Sequence, residues 1–319
     1  YCDILKTITY LGDGDMDIKN VTVVGAGVLG SQIAFQAAFF GFKVTLYDIN
    51  DEAVKAGREK LQKLVPIYAD YFHDEKLAQE TLNKIKITSD LEASLKDSDL
   101  MIEAIPELFN IKVDFYKSVA NLAPEKTIFA TNSSTMMPSQ FREYTGREEK
   151  FLALHFANEV WKNNTGEVMG HDRTHEQYVQ DVLTFAAEIG MIPIHVKKEQ
   201  PGYVLNYLLV PLLQAAEQLY AHGIADIETI DRTWMAATGA PLGPFAILDV
   251  VGLNTAYNIA SASANPAMHA VAEMLKKDYV DKGNLGTSTG EGFYKYPNPS
   301  YREENFVKKP MKTRDKGDA

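Results

Sequence analysis

A histidine and a glutamate twelve residues apart, His155 and Glu167, are the first pair in this chain suited to moving a proton. Histidine titrates near neutrality, and a carboxylate on its far nitrogen fixes the tautomer and supports the imidazolium. A base that takes a hydroxyl proton needs that arrangement. His155 ends an apolar run, Phe151-Leu152-Ala153-Leu154, that reads as a strand, and open α/β sheets bind ligands at strand ends. Glu167 follows the polar stretch Asn163-Asn164-Thr165-Gly166, so a hairpin return brings it alongside. Spacing alone leaves this open, because a strand-end histidine is also a common structural residue. His171 and His175 stand four apart, a spacing that grips a metal on a helix. Thr174 with Gln177 reads as a capping box, however, which leaves His171 outside the helix on solvated surface. His73, His195, His222 and His269 read as surface or packing residues. No metal site is expected.

The second chemical signal is Gly25-Ala26-Gly27-Val28-Leu29-Gly30, which leaves the strand Asn20–Val24 and opens a helix. Gly25 permits a tight turn, Gly27 lets a pyrophosphate approach the backbone, and Gly30 lets helix and strand pack closely. The free N–H groups and the helix dipole favour phosphate charge. Such a loop alone could serve only a packed turn. Here Asp48 closes the next strand, Lys43–Asp48, 18 residues after Gly30, where its carboxylate accepts ribose hydroxyls. Asp48 would repel a 2′-phosphate and no Arg follows it, so NAD is expected over NADP.

The elements that position these residues follow from periodicity. Strands are expected at Leu100–Ile105, Thr127–Thr131, Phe151–Phe156 and Ile192–Val196, each after a helical segment. Repeated βαβ units imply a mostly parallel sheet and an α/β fold. The alternation stops at Lys197–Gly202, a polar break with a proline. Helical periods follow at Tyr203–His222, Asp226–Ala237, Phe245–Ala262 and Met268–Lys282. The expected architecture is a Rossmann-type dinucleotide-binding domain over residues 18–198, then an all-helical domain over 199–300. Residues 1–17 and 301–319 flank them; the tail from Arg302 is charged and expected to fray.

Composition bounds the rest. The 319 residues are 45% hydrophobic and 24% charged, ordinary for a globular protein. A net charge of −11 argues against nucleic acid or anionic membrane as the main partner. Cys2 is the one cysteine, which excludes an internal disulfide framework. The apolar stretch Tyr203–Ala216 is broken by Asn206, Pro211 and Gln214, so no membrane span is expected. Residues 1–17 are acidic, the wrong charge for a secretory leader. The expectation is a soluble cytoplasmic protein.

Several separated blocks stand out along the chain: the Gly25–Gly30 loop; Ala104-Ile105-Pro106-Glu107 with Lys112; Thr131-Asn132-Ser133-Ser134; and His155-Phe156-Ala157-Asn158. Further on come Pro201-Gly202-Tyr203-Val204-Leu205-Asn206, Pro241–Phe245 with Asp249 and Gly252-Leu253, and Thr289-Gly290-Glu291-Gly292-Phe293-Tyr294. In this order the blocks resemble the 3-hydroxyacyl-CoA dehydrogenase family, including the 3-hydroxybutyryl-CoA dehydrogenases. The resemblance implies His155 as general base and Glu167 as its orienting partner. It implies that Ser134 and Asn206 position the substrate oxygen, Asn206 entering a cleft from the helical domain. Glu107, Lys112, Ser134 and Asn158 would line the nicotinamide end, although Glu107 and Lys112 alone could be a solvated helix-start pair. It also implies a homodimer, which the apolar stretches of the helical part favour.

The activity so implied is reversible, NAD-dependent oxidation of a short-chain L-3-hydroxyacyl-CoA to the 3-ketoacyl-CoA. Departures from the family pattern keep alternatives in play. Glu159, Trp161, Lys162, Asn163 and Asn164 replace a proline and an apolar run, which would put a bulky Trp beside the base. Tyr207 follows Asn206 where Arg is common, and Ser288 stands where a basic residue often precedes Thr289. CoA-contacting Ser and Lys are not matched; Lys60 and Lys63 read better as a charged helix face. A dehydrogenase of a free 3-hydroxy acid or sugar acid is the alternative, and a non-catalytic NAD-binding protein is the alternative of another class.

Overall fold

The computed structural model describes residues 17–308; Cys2 lies outside them, as do the rest of residues 1–16 and those after 308. Packing divides the chain between Val204 and Leu205 into two compact units. The first carries one sheet of eight strands: β1 Asn20–Val24, β2 Lys43–Tyr47, β3 Lys86–Thr88, β4 Leu100–Glu103, β5 Ile128–Thr131, β6 Phe151–Phe156, β7 Thr165–Gly170 and β8 Ile192–His195. Their order is β3-β2-β1-β4-β5-β6-β7-β8. Neighbours run parallel except β6 and β7, which form an antiparallel hairpin. The fold is α/β with a mostly parallel sheet.

Alternation along the central strands builds a core on each face, as a period of two requires. Leu100 and Ile102, Ile128 and Ala130, Leu152 and Leu154 pack one way, with helices α1 Val28–Phe39 and α2 Asp51–Phe72. Met101, Phe129 and Phe151 pack the other way, against helix α5 Phe109–Val119, which follows α3 Glu75–Lys84 and α4 Leu91–Leu95. Helix starts follow side-chain capping: Asn50 accepts from Ala53 N–H and Asp74 from Leu77 N–H. β3 is absent from the expected strands, and β7 is expected only as a hairpin return without bounds. β3 is three residues long and polar, and Gly166 and Glu167 hide the periodicity of β7.

Three expectations around the hairpin are corrected. His175, not Thr174, precedes helix α6 Glu176–Glu188 as its cap residue. The Thr174 hydroxyl instead donates to the Phe151 carbonyl and accepts from His171 N–H, pinning the end of β7 to β6. His171 is buried rather than solvated; its Nδ1 accepts from Arg173 N–H, and burial pushes its imidazole below the ordinary histidine range. The Trp161 expectation fails similarly. Gln32 Oε1 of α1 accepts from Glu159 and Val160 N–H. That bond folds the loop back, so Trp161 packs near Tyr68 of α2, with ring centroids 5.6 Å apart. There, with Phe40, Phe42 and Phe72, it lines a cavity of about 840 Å³ that includes none of the expected site residues.

The second unit is helical: α7 Leu205–Ala221, α8 Ile227–Thr238, α9 Pro244–Val251, α10 Leu253–Ser261, α11 Pro266–Asp278 and the short α12 Asn305–Lys308. The helix expected over Phe245–Ala262 breaks at Gly252 (φ +96°), whose neighbour Leu253 donates to Leu285 O instead of continuing the helix. Two buried aspartates clasp this unit. Asp249 accepts from Phe293 and Tyr294 N–H and the Tyr296 hydroxyl. Asp231 accepts from Phe245 and Ala246 N–H at the start of α9. A Cβ on Gly292 would lie 2.1 Å from Asp249 Oδ1, so the Gly290–Tyr294 block is shaped by this clasp. The expected fraying from Arg302 is overturned within the described residues. Tyr301 and Phe306 are buried, and Arg232 donates to Phe306 O while its guanidinium lies 4.8 Å from the Phe306 ring centroid. No helix among the described residues is long and apolar enough to cross a membrane.

Candidate active site

The C-terminal ends of β1, β4, β5 and β6 gather the chemistry. In the β6–β7 hairpin His155 and Glu167 are direct cross-strand partners, a position that brings Cβ atoms within about 5 Å. Their side chains close the gap: His155 Nδ1 lies 2.9 Å from Glu167 Oε2, with both residues buried. A carboxylate can only accept, so Nδ1 carries the proton and Nε2 of a neutral imidazole is left with a lone pair. Nε2 lies 3.1 Å from Ser134 Oγ, on the loop after β5. The second Glu167 oxygen accepts from Val204 N–H at 2.9 Å. Asn132 fixes the loop by accepting Phe156 N–H on its Oδ1.

The glycine loop meets the requirements of a dinucleotide cradle. Gly25 has φ +103°, and a Cβ there would lie 2.5 Å from Ala104 O; one on Gly30 would lie 1.9 Å from Gly25 O. Gly25 is needed for the loop to pass the backbone just after β4, and Gly30 for α1 to pack on the loop itself. A Cβ on Gly27 meets nothing within 4 Å. Its smallness therefore serves no contact among the described residues and leaves open the space in front of the α1 N-terminus, where a pyrophosphate would sit. Ala26 is buried, Val28 is exposed and Leu29 is half-buried in the first turn of α1. Asp48 follows β2 and accepts Ala26 N–H on Oδ2 at 2.7 Å and Ile49 N–H on Oδ1. The carboxylate is thus fixed beside the loop with acceptor capacity remaining for ribose hydroxyls. Lys60 donates to Ala26 O rather than standing free on a helix face.

A third cluster was visible only in part. Glu107 accepts from the hydroxyls of Ser133 and Thr135 and lies 3.1 Å from Lys112 Nζ. Burial pushes its carboxyl up, but the Ser133 hydroxyl, Lys112 and Thr135 outweigh that and hold it below the ordinary glutamate range. Lys112 is not on a solvated helix start; it is 1% exposed, and its ammonium lies 2.6 Å from Glu103, which is 0% exposed. Glu103 also accepts from Ile105 N–H, Tyr116 OH and the Thr131 hydroxyl. Sequence reasoning missed Glu103, Ser133 and Thr135. A charge ending the run Leu100-Met101-Ile102 on a buried strand was the available signal for Glu103. Asn158 is exposed on the hairpin loop, its carbonyl accepting from Asn163. Asn206 is the second residue of α7 in the helical unit and half-buried. No group of three or more metal-binding side chains occurs among the described residues.

The profile of the 3-hydroxyacyl-CoA dehydrogenase NAD binding domain matches residues 20–200, and that of the C-terminal domain of the same family matches residues 202–296. The chain belongs to the 3-hydroxyacyl-CoA dehydrogenase family. Mitochondrial hydroxyacyl-coenzyme A dehydrogenase of Homo sapiens is 33% identical over 289 residues, covering 88% of this chain and 91% of the relative. A probable 3-hydroxybutyryl-CoA dehydrogenase of Bacillus subtilis (strain 168) is 33% identical over 285 residues, covering 88% and 98%. A solved diketoreductase, described as a substrate-directed dual catalyst of dicarbonyl compounds, is 56% identical with a TM-score of 0.85, covering 88% of this chain and all of its own. As a family member the chain is an NAD-dependent oxidoreductase. The glycine loop, with Asp48 beside it, lies inside its NAD-binding domain.

Proposed function

We propose that this dehydrogenase interconverts a short-chain L-3-hydroxyacyl-CoA and its 3-ketoacyl-CoA, with His155 and Glu167 as one acid–base unit. The observation that carries the reading is the line Ser134 Oγ, His155 Nε2, His155 Nδ1 and Glu167 Oε2 at 3.1 and 2.9 Å. When bound, NAD supplies the hydride acceptor. His155 Nε2 takes the substrate hydroxyl proton, and Glu167 holds the imidazolium that results. Ser134 donates to the same oxygen and orients it. Asn206 is taken as a second oxygen-positioning group on the family resemblance alone. Gly25, Ala26, Gly27, Val28, Leu29, Gly30 and Asp48 hold the adenosine and pyrophosphate. Glu107 and Asn158 serve the nicotinamide end, with Lys112 acting through Glu107. Exposed apolar residues of the helical unit, Tyr207, Leu208 and Ile259 among them, favour a homodimer.

A second reading, reduction of free dicarbonyl compounds, is favoured by the diketoreductase at 56% identity. The chemistry is shared, because a 3-ketoacyl thioester is itself a 1,3-dicarbonyl. In that direction His155 works as the acid. Steady-state rates with acetoacetyl-CoA, a free 1,3-diketone and free 3-hydroxy acids separate the readings. Turnover of acetoacetyl-CoA with NADH is expected. Turnover of the free substrates alone would move the assignment to the second reading or to a 3-hydroxy-acid dehydrogenase. NADH binding without turnover of any would leave an NAD-binding protein without chemistry.

The cofactor assignment makes its own prediction. Replacing Asp48 by Ser and Ile49 by Arg removes a carboxylate that repels a 2′-phosphate and adds a cation that pairs with one. The ratio of kcat/KM for NADPH over NADH should rise roughly ten- to hundredfold, the value of one or two charged hydrogen bonds. An unchanged ratio in competitive cofactor kinetics would remove Asp48 from the ribose.

A further inference from the structure

The imidazole of His155 has a partner besides Glu167 and Ser134. The ring of Tyr203 lies face to face with it, centroids 4.4 Å apart and planes at 8°. Tyr203 is 0% exposed, and its hydroxyl donates to the Ser133 carbonyl at 2.7 Å, one residue before Ser134. Burial, with Glu107 and Glu167 next in effect, holds the phenol well above the usual tyrosine range, so it stays a neutral donor. The backbone is bent to put the ring there: Gly202 has φ +78° and Tyr203, a residue with a Cβ, has φ +53°. Surrounding structure must hold such a conformation in place. The next residue, Val204, donates its N–H to Glu167. One turn, Pro201–Val204, therefore grips the base, its carboxylate and the loop that carries Ser134.

We propose that Tyr203 is a positioning residue for the dyad: its ring fixes the plane of the His155 imidazole and stabilises the imidazolium through its π face. This rests on His155 being the general base. A cation over an aromatic face is attracted by the ring quadrupole, and desolvation strengthens the attraction. The protonated imidazole gains from the stack more than the neutral one does. Glu167 on β7 supplies the adjacent charge and Ser134 a neutral hydroxyl. Glu103, Glu107 and Glu199 are the other carboxylates whose fields reach the Tyr203 phenol. The tyrosine thus sets its π face beside an imidazole that Glu167 already holds at Nδ1, from a direction that also blocks ring rotation.

Tyr203→Leu and Tyr203→Phe test this. Phe keeps the stack and loses only the tie to Ser133; Leu loses the stack. In Tyr203→Leu the acidic limb of the kcat/KM profile for hydroxyacyl oxidation should move to lower pH by about half a unit. In Tyr203→Phe the limb should stay near wild type, with kcat lowered a fewfold through the loosened Ser134 loop. NMR titration of the His155 ring in the full chain, assigned by its loss in His155→Gln, gives a readout independent of turnover. Its midpoint should fall in Leu and hold in Phe. If neither midpoint nor rate limb moves in Leu, the stack does not stabilise the imidazolium and the proposal falls. If the midpoint moves and the rate limb does not, the stack stands and His155 is not the base. Should Leu fail to fold, the Phe variant decides alone: a moved midpoint there would overturn the proposal, because its stack is intact.

Discussion

Replacing His155 by Gln should lower kcat by about 10²–10⁴-fold, the range that a positioned base contributes, while NADH binding stays near wild type. The glycine loop and Asp48 share no hydrogen bond with His155, so cofactor affinity is the control. Glu167→Gln should be less damaging but still severe, for a reason visible in the hydrogen bonds. Glu167 accepts on both oxygens, from His155 Nδ1 and from Val204 N–H. An amide offers one acceptor and one donor, so whichever way it turns a donor faces a donor. Either His155 loses the partner that fixes its tautomer or the Val204 N–H is orphaned. The charge that supports the imidazolium is lost in both cases, and the acidic limb of the rate profile should move to lower pH. The double mutant should cost less than the two single losses combined, because groups acting as one unit are non-additive. Near-normal kcat in His155→Gln would end the mechanism, and additive losses would break the pairing of the two residues.

That pairing was only half legible in the sequence. The strand ending at His155 and the return to Glu167 follow from an apolar run, a polar turn and a polar pair. The register that sets them opposite each other does not. A one-residue slip in an antiparallel pair turns a side chain to the other face, and the eight residues between Phe156 and Thr165 permit several registers. What selects this one is tertiary: Gln32 captures the loop through Glu159 and Val160, and Thr174 pins the far end of β7 to Phe151. Neither contact leaves a local sequence signature. The same cause explains Trp161, which was expected beside the base and instead packs near Tyr68 because the loop is drawn back onto α1.

The parallel strands and the glycine loop were legible because their constraints are local. A turn that needs φ +103° admits few residues besides Gly25, and Gly30 must lack a Cβ to pass Gly25 O. The helical part was legible in extent but not in its joints. Gly252 breaks one expected helix into two, and the charged tail hides Tyr301 and Phe306, two apolar anchors spaced too widely to show a period. His171 read as surface because a helix cap at Thr174 leaves it outside the helix, where only local sequence speaks; its own ring is nevertheless buried near Phe151. Burial set by distant strands is the part of a fold that residue type in a window reports least well.

The largest stability effect should come from Lys112, a residue that sequence alone allowed as a surface cation. Lys112→Met keeps most of the side chain's length and apolar contact but removes the ammonium 2.6 Å from Glu103. The Glu103 carboxyl is left buried without its cation, with three neutral donors, Ile105 N–H, Tyr116 OH and the Thr131 hydroxyl. Stranding one charge of a buried pair costs about 3–5 kcal/mol, so chemical denaturation should show a loss of that order. The pair as a whole is worth much less than this, because both charges lost their hydration when they were buried. Glu103→Gln combined with Lys112→Met should therefore recover at least half of the loss: the amide keeps an acceptor for the neutral donors and carries no charge. A single-mutant loss below about 1 kcal/mol, the scale of an exposed pair, would show that water reaches Glu103. A double mutant no more stable than the single would show that the network needs the carboxylate for its geometry. Lys112 also lies 3.1 Å from Glu107, which holds Ser133 and Thr135 on either side of Ser134. KM for NADH should accordingly rise in Lys112→Met and remain raised in the double mutant, since restoring charge balance at Glu103 returns nothing to Glu107.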